Sequence, residues 1–383
     1  MDFSEELKRL EQQGLYRSRR VIEETQFPEI VVDGQKVINF CSNDYLGLSQ
    51  HPSVKQAFIE GVERYGAGSG SAHLICGHSQ AHHALEEELA DFTGRDRALL
   101  FSTGFMANIG TLSALLKPTD RVLEDLLNHA SLLDGGLLSR AKFRRYQHND
   151  MSDLENKLSL KEQENTLIVS DGVFSMDGDL APLPDMVRLA RQYKATLMVD
   201  DAHGFGVLGG TGAGVLEHYG LKQQDVPILM GTLGKAVGTF GAFVAGSEQL
   251  IEILIQKARS YIYTTAMPAA LAEATRVSLR LVQTETWRRE QLMHNIQSFR
   301  FKSEQLGLPV MASGTAIQPL LIGSTAQALT VSQKLMEKGF WVSAIRPPTV
   351  PKGQARLRVT LSAVHQPEQI DGLLDALEKS IND

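Results

Sequence analysis

The sequence predicts an α/β fold: a large domain with a mostly parallel sheet flanked by helices, followed by a smaller C-terminal α+β domain. Three observations carry this. Short apolar runs recur at 97–103, 121–127 and 166–170, then from Thr196 into Asp200-Asp201 and again into Gly231-Thr232, bounded by glycine or polar residues as buried strands are. Helical patterns fall between them, and strand–helix alternation argues a parallel sheet with helices on both faces. From Leu308 the order changes to strand 316–322, helix 325–338, strand 340–345, strand 355–361 and a final helix from 367. The division is then an N-terminal segment of helix and hairpin (1–45), a large domain (46–280) and a small domain (281–383).

In order, residues 4–14 read as a short amphipathic helix closed by Gly14. Arg17, Arg19 and Arg20 form a basic cluster, of which the last two read as solvated. Asp33-Gly34 inside the apolar stretch 30–40 signals a hairpin. Residues 52–65 look helical, and Gly66–Ser71 is rich enough in glycine for backbone to approach a ligand or a partner chain. Ser79–Phe92 is a helix with Glu86, Glu87 and Glu88 on its wet side and Gly94 as its stop. His78, His82 and His83 lie close in sequence, but there is no HExxH and no evident third ligand, so no metal is expected. Residues 184–194 and 247–258 are helical, 259–268 form a polar and aromatic connector, and 269–305 form a long helical region able to bridge two domains. Arg356 and Arg358, at a spacing of two on one strand, suggest a carboxylate clamp beside a surface residue.

Composition narrows the function. The chain has 383 residues, 43% hydrophobic and 22% charged, as a soluble globular protein does. A net charge of -7 argues against nucleic acid or an anionic membrane as the main partner. Two cysteines, Cys41 and Cys76, without a CxxC fit a reducing compartment. The N-terminus is charged from its second residue and no apolar run reaches the roughly 18 residues of a spanning helix, so the expectation is a cytoplasmic protein.

The chemistry concentrates between Thr196 and Gly246. One apolar run ends in Asp200-Asp201-Ala202-His203, the next in Gly231-Thr232-Leu233-Gly234-Lys235. A carboxylate, an imidazole and a lysine at neighbouring strand ends, with small residues between, leave room for a flat ring and suggest pyridoxal phosphate. Gly104-Phe105 opens a helix after a strand, where free backbone N–H groups bind anions. Gly104, His129, Ser175, Asp200 and Lys235 all follow strand C-terminal ends, where ligands of such sheets sit.

The blocks SNDYLGL (42–48), GVFSMDGD (172–179), DDAHG (200–204), GTLGKAVG (231–238), IRPPTVP (345–351) and RLRVT (356–360) resemble the α-oxoamine synthases, PLP-dependent enzymes of the aspartate-aminotransferase fold. The resemblance spans nearly the whole chain and departs at Ser71-Ala72-His73, where many relatives carry Gly-Ser-Arg. It implies Lys235 as the Schiff-base lysine, Asp200 on the pyridinium nitrogen, His203 on the ring hydroxyl and His129 stacked on the ring. It implies Gly104, Phe105 and Thr232 at the phosphate and Ser175 completing the pocket. Arg17, Asn43 and Thr349 would line the substrate side, with Arg358 for the amino-acid carboxylate and Arg346 as a second candidate or a reader of the acyl chain. The implied substrates are L-alanine and a pimeloyl thioester, carried by coenzyme A or an acyl carrier protein, in biotin synthesis. The family also implies a homodimer with the site at its interface, to which loop 66–70 and Thr265 contribute.

The competing readings are a sister synthase such as glycine C-acetyltransferase, disfavoured by Arg346-Pro347-Pro348-Thr349, and an aminotransferase, which expects a second arginine for a dicarboxylate. Outside this class stand a non-catalytic phosphate-binding module, with no use for Lys235, and a zinc hydrolase built on His78, His82, Asp200 and His203.

Overall fold

The computed structural model describes residues 3–13, 15–160 and 165–382; Gly14, the expected helix stop, lies outside them. Two compact units result, one built from Met1–Gly47, Met176–Asp179 and Arg288–Asp383, the other from Leu48–Ser175 and Leu180–Trp287.

The larger unit holds a seven-stranded sheet in the order Arg97–Phe101, Ala242–Gly246, Ile228–Thr232, Thr196–Asp200, Thr166–Asp171, Arg121–Asp125, Lys142–Tyr146. Only Ala242–Gly246 runs against the rest. The sequence explains the burial: runs such as Ala98-Leu99-Leu100-Phe101 are apolar at every position, so each strand needs cover on both faces. Alternate residues enter two separate cores. Leu99, Phe101, Val169, Met230 and Val244 pack into one, and Leu100, Phe205, Phe243 and Ala245 into the other. That alternation is the period of two expected of a strand. Helices supply the cover: Gly104–Leu115 and Glu248–Lys257 for the first core, Gln80–Thr93 and Ala269–Thr284 for the second.

The smaller unit holds two sheets. Ile22–Gln26, Glu29–Val32, Gln35–Asn39 and Phe340–Trp341 form one; Ile317–Gly323, Ala355–Thr360 and Ser343–Ile345 form the other. The N-terminal hairpin thus belongs with the C-terminal residues, through the parallel pairing of Phe340 with Ile38 and Trp341 with Asn39. The turn is Asp33-Gly34, both at positive φ (49° and 77°), as a two-residue hairpin turn requires. His365 ties the unit together. Its Nδ1 accepts from Ser362 N at 2.9 Å, its Nε2 donates to Asn39 O at 3.0 Å, and its ring stacks on Phe40 at 4.2 Å.

Several expectations need correction. The strands Ile22–Gln26 and Lys142–Tyr146 have too many charged or polar residues to show as apolar runs. The stretch 340–345 is two short strands in different sheets. The helical region 269–305 breaks at Glu285, between Ala269–Thr284 and Trp287–Gln305, and the connector after residue 258 begins with a helical turn, Arg259–Ile262. Glu86 faces inward, accepting from Leu100 N at 3.0 Å, and burial pushes its carboxyl up to about 7. Arg356 is no surface residue: it is 1% exposed and paired with Asp177.

Two predictions follow from packing. Burial holds the His365 imidazole down at about 4, so an unfolded chain binds a proton there near pH 6.5 that the folded chain refuses. The stabilisation is complete above pH 6.5 and is lost as pH falls towards 4; between pH 7 and 5 the loss is about 2 kcal/mol. Urea denaturation should therefore show a smaller pH dependence for His365→Gln over that interval. An equal dependence in both proteins would refute the assignment. The second concerns Gly238, at φ +71°, whose N–H closes the turn onto Lys235 O at 2.8 Å. An added Cβ would lie 2.4 Å from Ser49 N. Gly238→Ala should lower stability by at least about 1–3 kcal/mol, whereas Gly314→Ala, whose Cβ meets nothing within 4 Å, serves as the neutral control in the same thermal melts.

Candidate active site

Parallel strands bring their C-terminal ends to one edge, and the larger unit presents its polar groups there. Asp171, Asp200 and Met230 are in register across three adjacent strands. Asp200 ends its strand 2% exposed. Its Oδ1 accepts from Ala202 N at 2.9 Å and its Oδ2 from Asn108 Nδ2 at 2.7 Å. A buried carboxylate demands such donors. Three residues past the same strand end, His203 is 8% exposed, and its Nε2 lies 2.8 Å from Lys235 Nζ. Lys235 sits in the loop between the antiparallel strands Ile228–Thr232 and Ala242–Gly246, so both ends of that loop are anchored in the sheet. Thr232 precedes it, its hydroxyl donating to Gly241 O at 3.1 Å and accepting from Gly234 N at 3.4 Å.

Gly104 and Phe105 begin the helix Gly104–Leu115, capped by Thr103 Oγ1, which accepts from Met106 N at 3.2 Å. The first N–H groups of a helix have no partner within it and offer themselves to an anion. His129 caps the helix Ala130–Leu138, its Nδ1 accepting from Ser131 N at 3.3 Å, while its own N–H donates to Asp171 Oδ2 at 2.6 Å. More than a third of His129 is open to solvent, yet the packed edge around Nδ1 lowers its affinity for a proton; Asp200 opposes that shift and Lys235 assists it. Ser175, half-buried, follows the bridge between Val173 and Leu180.

Behind these groups lies a reserve of buried acid. Burial pushes the Asp171 carboxyl well up, the charge of Asp200 pushes it further, and the His129 N–H opposes both. Asp201 is raised in the same way, with Val215 N donating to its Oδ2 at 2.7 Å. Amides at a helix start, a hydroxyl, a lysine, an imidazole and a buried carboxylate make a donor set that fits a flat ring bearing a phosphate, a carbonyl and a basic nitrogen.

The smaller unit gathers a second set. Arg358, 7% exposed, donates to Thr360 Oγ1 at 2.8 Å and to Asn43 Oδ1 at 3.3 Å, and Tyr45 also donates to Asn43 Oδ1 at 3.3 Å. Arg346 donates to Tyr16 O at 2.5 Å and its carbonyl accepts from Thr349 N at 3.1 Å. Arg17 and Thr349 are exposed. Sequence reading missed Asn108, Ser131 and Asp171: Asn108 reaches Asp200 across 92 positions and Ser131 across 23, and Asp171 reaches His129 across 42, while Asn108 lay in a segment read only for its backbone. It also missed Glu86 as a neighbour of His78 and His83, their ligand atoms all within 4.8 Å of one another. Glu86 and His78 already serve the packing of helix Gln80–Thr93, through the bond of Glu86 to Leu100 and a 3.0 Å contact between the Nδ1 atoms of His73 and His78, while His83 is exposed beside Glu87.

Comparison with known proteins agrees with this geometry. The family model described as aminotransferase class I and II matches residues 35–377. An 8-amino-7-oxononanoate synthase of Methylococcus capsulatus is 62% identical, covering 98% of this chain and 97% of its own. Another, from Thioalkalivibrio sulfidiphilus, is 61% identical over 99% and 97%. Among solved structures, serine palmitoyltransferase from S. paucimobilis with bound PLP and myriocin superposes at a TM-score of 0.93, 32% identical, over 98% of this chain and 96% of that one. The 8-amino-7-oxononanoate synthase of Francisella tularensis gives 0.80 at 33% identity over 90% and 98%. The chain belongs to the aminotransferase class I and II family and groups by sequence with its 8-amino-7-oxononanoate synthases.

Proposed function

We propose that the protein is a pyridoxal-phosphate-dependent acyltransferase that condenses L-alanine with a pimeloyl thioester, giving 8-amino-7-oxononanoate, carbon dioxide and the free thiol, a step of biotin synthesis. The observation that carries this is Lys235 Nζ placed 2.8 Å from His203 Nε2 at strand ends adjoining the buried Asp200. In the reaction a bond forms between the alanine α-carbon and the acyl carbon, the thiolate leaves, and the bond to the alanine carboxylate breaks. When bound, pyridoxal phosphate supplies a carbonyl that captures an amine and a ring that withdraws electrons from the α-carbon.

The chain's residues do the rest. Lys235 would hold the carbonyl of pyridoxal phosphate through its amine, and the same amine, when free, would take the alanine α-proton at Nζ. Asp200, its two oxygens oriented by Ala202 N and Asn108, would hold a proton on the ring nitrogen. His203 donates or accepts at the ring hydroxyl while staying in contact with Lys235. His129 covers a ring face. The amides of Gly104 and Phe105, with the Thr232 hydroxyl, hold the phosphate, and Ser175 closes the pocket. Arg358, oriented by Asn43 and Thr360, binds the alanine carboxylate, and Arg346, Arg17 and Thr349 serve the acyl chain.

The assembly we propose is a homodimer formed through the loop 66–71 and its neighbours. Ser69 Oγ donates to Ala266 O at 2.6 Å and Ala266 N to Ser71 O at 3.0 Å, so the glycine-rich loop and the connector carrying Thr265 form one surface. Ile75 and Tyr263 on these segments are 79% and 72% exposed, which favours cover by a second copy. Among the described residues no helix is long and apolar enough to cross a membrane. A cytoplasmic location accords with the charge and cysteine content, and coenzyme A and an acyl carrier protein remain the two acyl carriers to test.

Reconstituted with pyridoxal phosphate, the protein should gain a visible absorption band that Lys235→Ala abolishes, that L-alanine shifts, and that pimeloyl-CoA then turns over with release of carbon dioxide. A shift with glycine alone would favour the sister acetyltransferase, and no band at all would defeat the cofactor reading. Arg358→Gln should raise the KM for alanine by about tenfold to a hundredfold, the worth of a hydrogen bond to a charged group. Arg346→Gln should move the KM for the thioester instead; the reverse pattern would exchange their roles.

A further inference from the structure

Asn108 is fully buried in the helix Gly104–Leu115, and its side-chain nitrogen donates twice. One hydrogen goes to Asp200 Oδ2 at 2.7 Å, the other to Ser131 Oγ at 2.9 Å. The orientation of this amide is forced, since turning it over would set its carbonyl oxygen against a carboxylate oxygen. The carbonyl Oδ1 has no partner among the described residues. A buried acceptor left bare costs about 1–3 kcal/mol, so packing alone is a poor reason for this residue. Its two donors must carry the advantage.

The chain of bonds continues through Ser131, also fully buried. Its oxygen receives a hydrogen from Asn108, so its own proton is available to His129 Nδ1 at 2.7 Å. The Ser131 backbone N–H points at the same ring nitrogen at 3.3 Å. A backbone N–H can only donate, so Nδ1 must be an unprotonated acceptor and the ring hydrogen sits on Nε2. Protonating Nδ1 would remove the backbone bond and reverse the other, the ring then donating to an Oγ that already accepts from Asn108.

We propose that Asn108 is a positioning residue that joins Asp200 to His129: one hydrogen fixes the carboxylate, and the other, relayed by Ser131, fixes His129 as its neutral Nε2–H tautomer. This rests on the pyridoxal phosphate reading above, in which both residues meet the cofactor ring. Asp171, bonded to the backbone of His129 at 2.6 Å, holds the same residue from the other side. The ring that covers the cofactor is then uncharged and cannot turn over.

The test uses the holoenzyme labelled with nitrogen-15 in histidine, with the His129 signal assigned by its loss in His129→Gln. In the wild type, Nδ1 should resonate as a pyridine-like nitrogen and Nε2 as a pyrrole-like one. Asn108→Leu keeps a similar shape and removes both donors. It should average the two signals, shift the pH midpoint of the visible cofactor band, and lower kcat by on the order of tenfold to a hundredfold, as loss of an orienting partner does. Ser131→Ala cuts only the relay and leaves the backbone N–H at 3.3 Å as the one remaining donor to Nδ1, so it should move the two histidine signals towards each other and leave the midpoint of the band in place. If Asn108→Leu does not fold, Ser131→Ala decides alone. A pyrrole-like Nδ1 in the wild type, or wild-type signals in Ser131→Ala, would overturn the proposal. A role confined to packing would leave the signals, the midpoint and kcat of Asn108→Leu unchanged. A wild-type protein that takes up no pyridoxal phosphate would defeat the functional reading, while the tautomer would still be readable in the same sample.

Discussion

A carboxylate buried at the end of a central strand is the constraint on which the site depends. Asp200 is 2% exposed, and an isolated charge there would cost far more than a folded domain has to spare. Two donors answer it, one from the backbone two residues on and one from a helix packed across the sheet edge. Burial raises the neighbouring acids, Asp171 and Asp201, so that each tends to hold its proton. Asp200 is thus held by two donors, and its neighbours become hydrogen-bonding supports.

The parallel sheet makes this gathering possible. Strands buried on both faces leave only their ends for polar groups, and five of the seven deliver a site residue at or just past the same edge. Gly104, His129, Ser175, Asp200 and Thr232 follow or end strands that share one direction. The antiparallel strand Ala242–Gly246 plays a different part, returning the chain at once after Lys235 and anchoring the far side of that loop.

How much of this was legible follows from the range of each interaction. Apolar runs bounded by glycine located the central strands, and the small residues around Lys235 marked a crevice, because both signals are local. The strand Lys142–Tyr146 was not legible, since an edge strand of KFRRY has no apolar run to show. Arg356 read as a surface residue because its partner, Asp177, is 179 positions away. Arg358 and Asn43 were both singled out by the resemblance, but not their bond to each other across 315 positions. Asn108 was read for its backbone alone: nothing in Gly104–Asn108 announces a side chain aimed at Asp200.

The loop that carries Lys235 differs from the rest of the site in this respect. Thr232 pairs with Ala242, so only residues 233–241 lie between two clamped ends. Closing so short a loop takes little chain entropy, whereas bringing Asn108 to Asp200 closes a span of 92 positions. The placing of Lys235 is therefore a product of nearest-neighbour geometry, and the bond between Asn108 and Asp200 is a product of the whole sheet. A chain folded only as far as this hairpin would already hold Lys235 between two clamped ends, while the donor that answers the Asp200 carboxylate would still be 92 positions away along the chain.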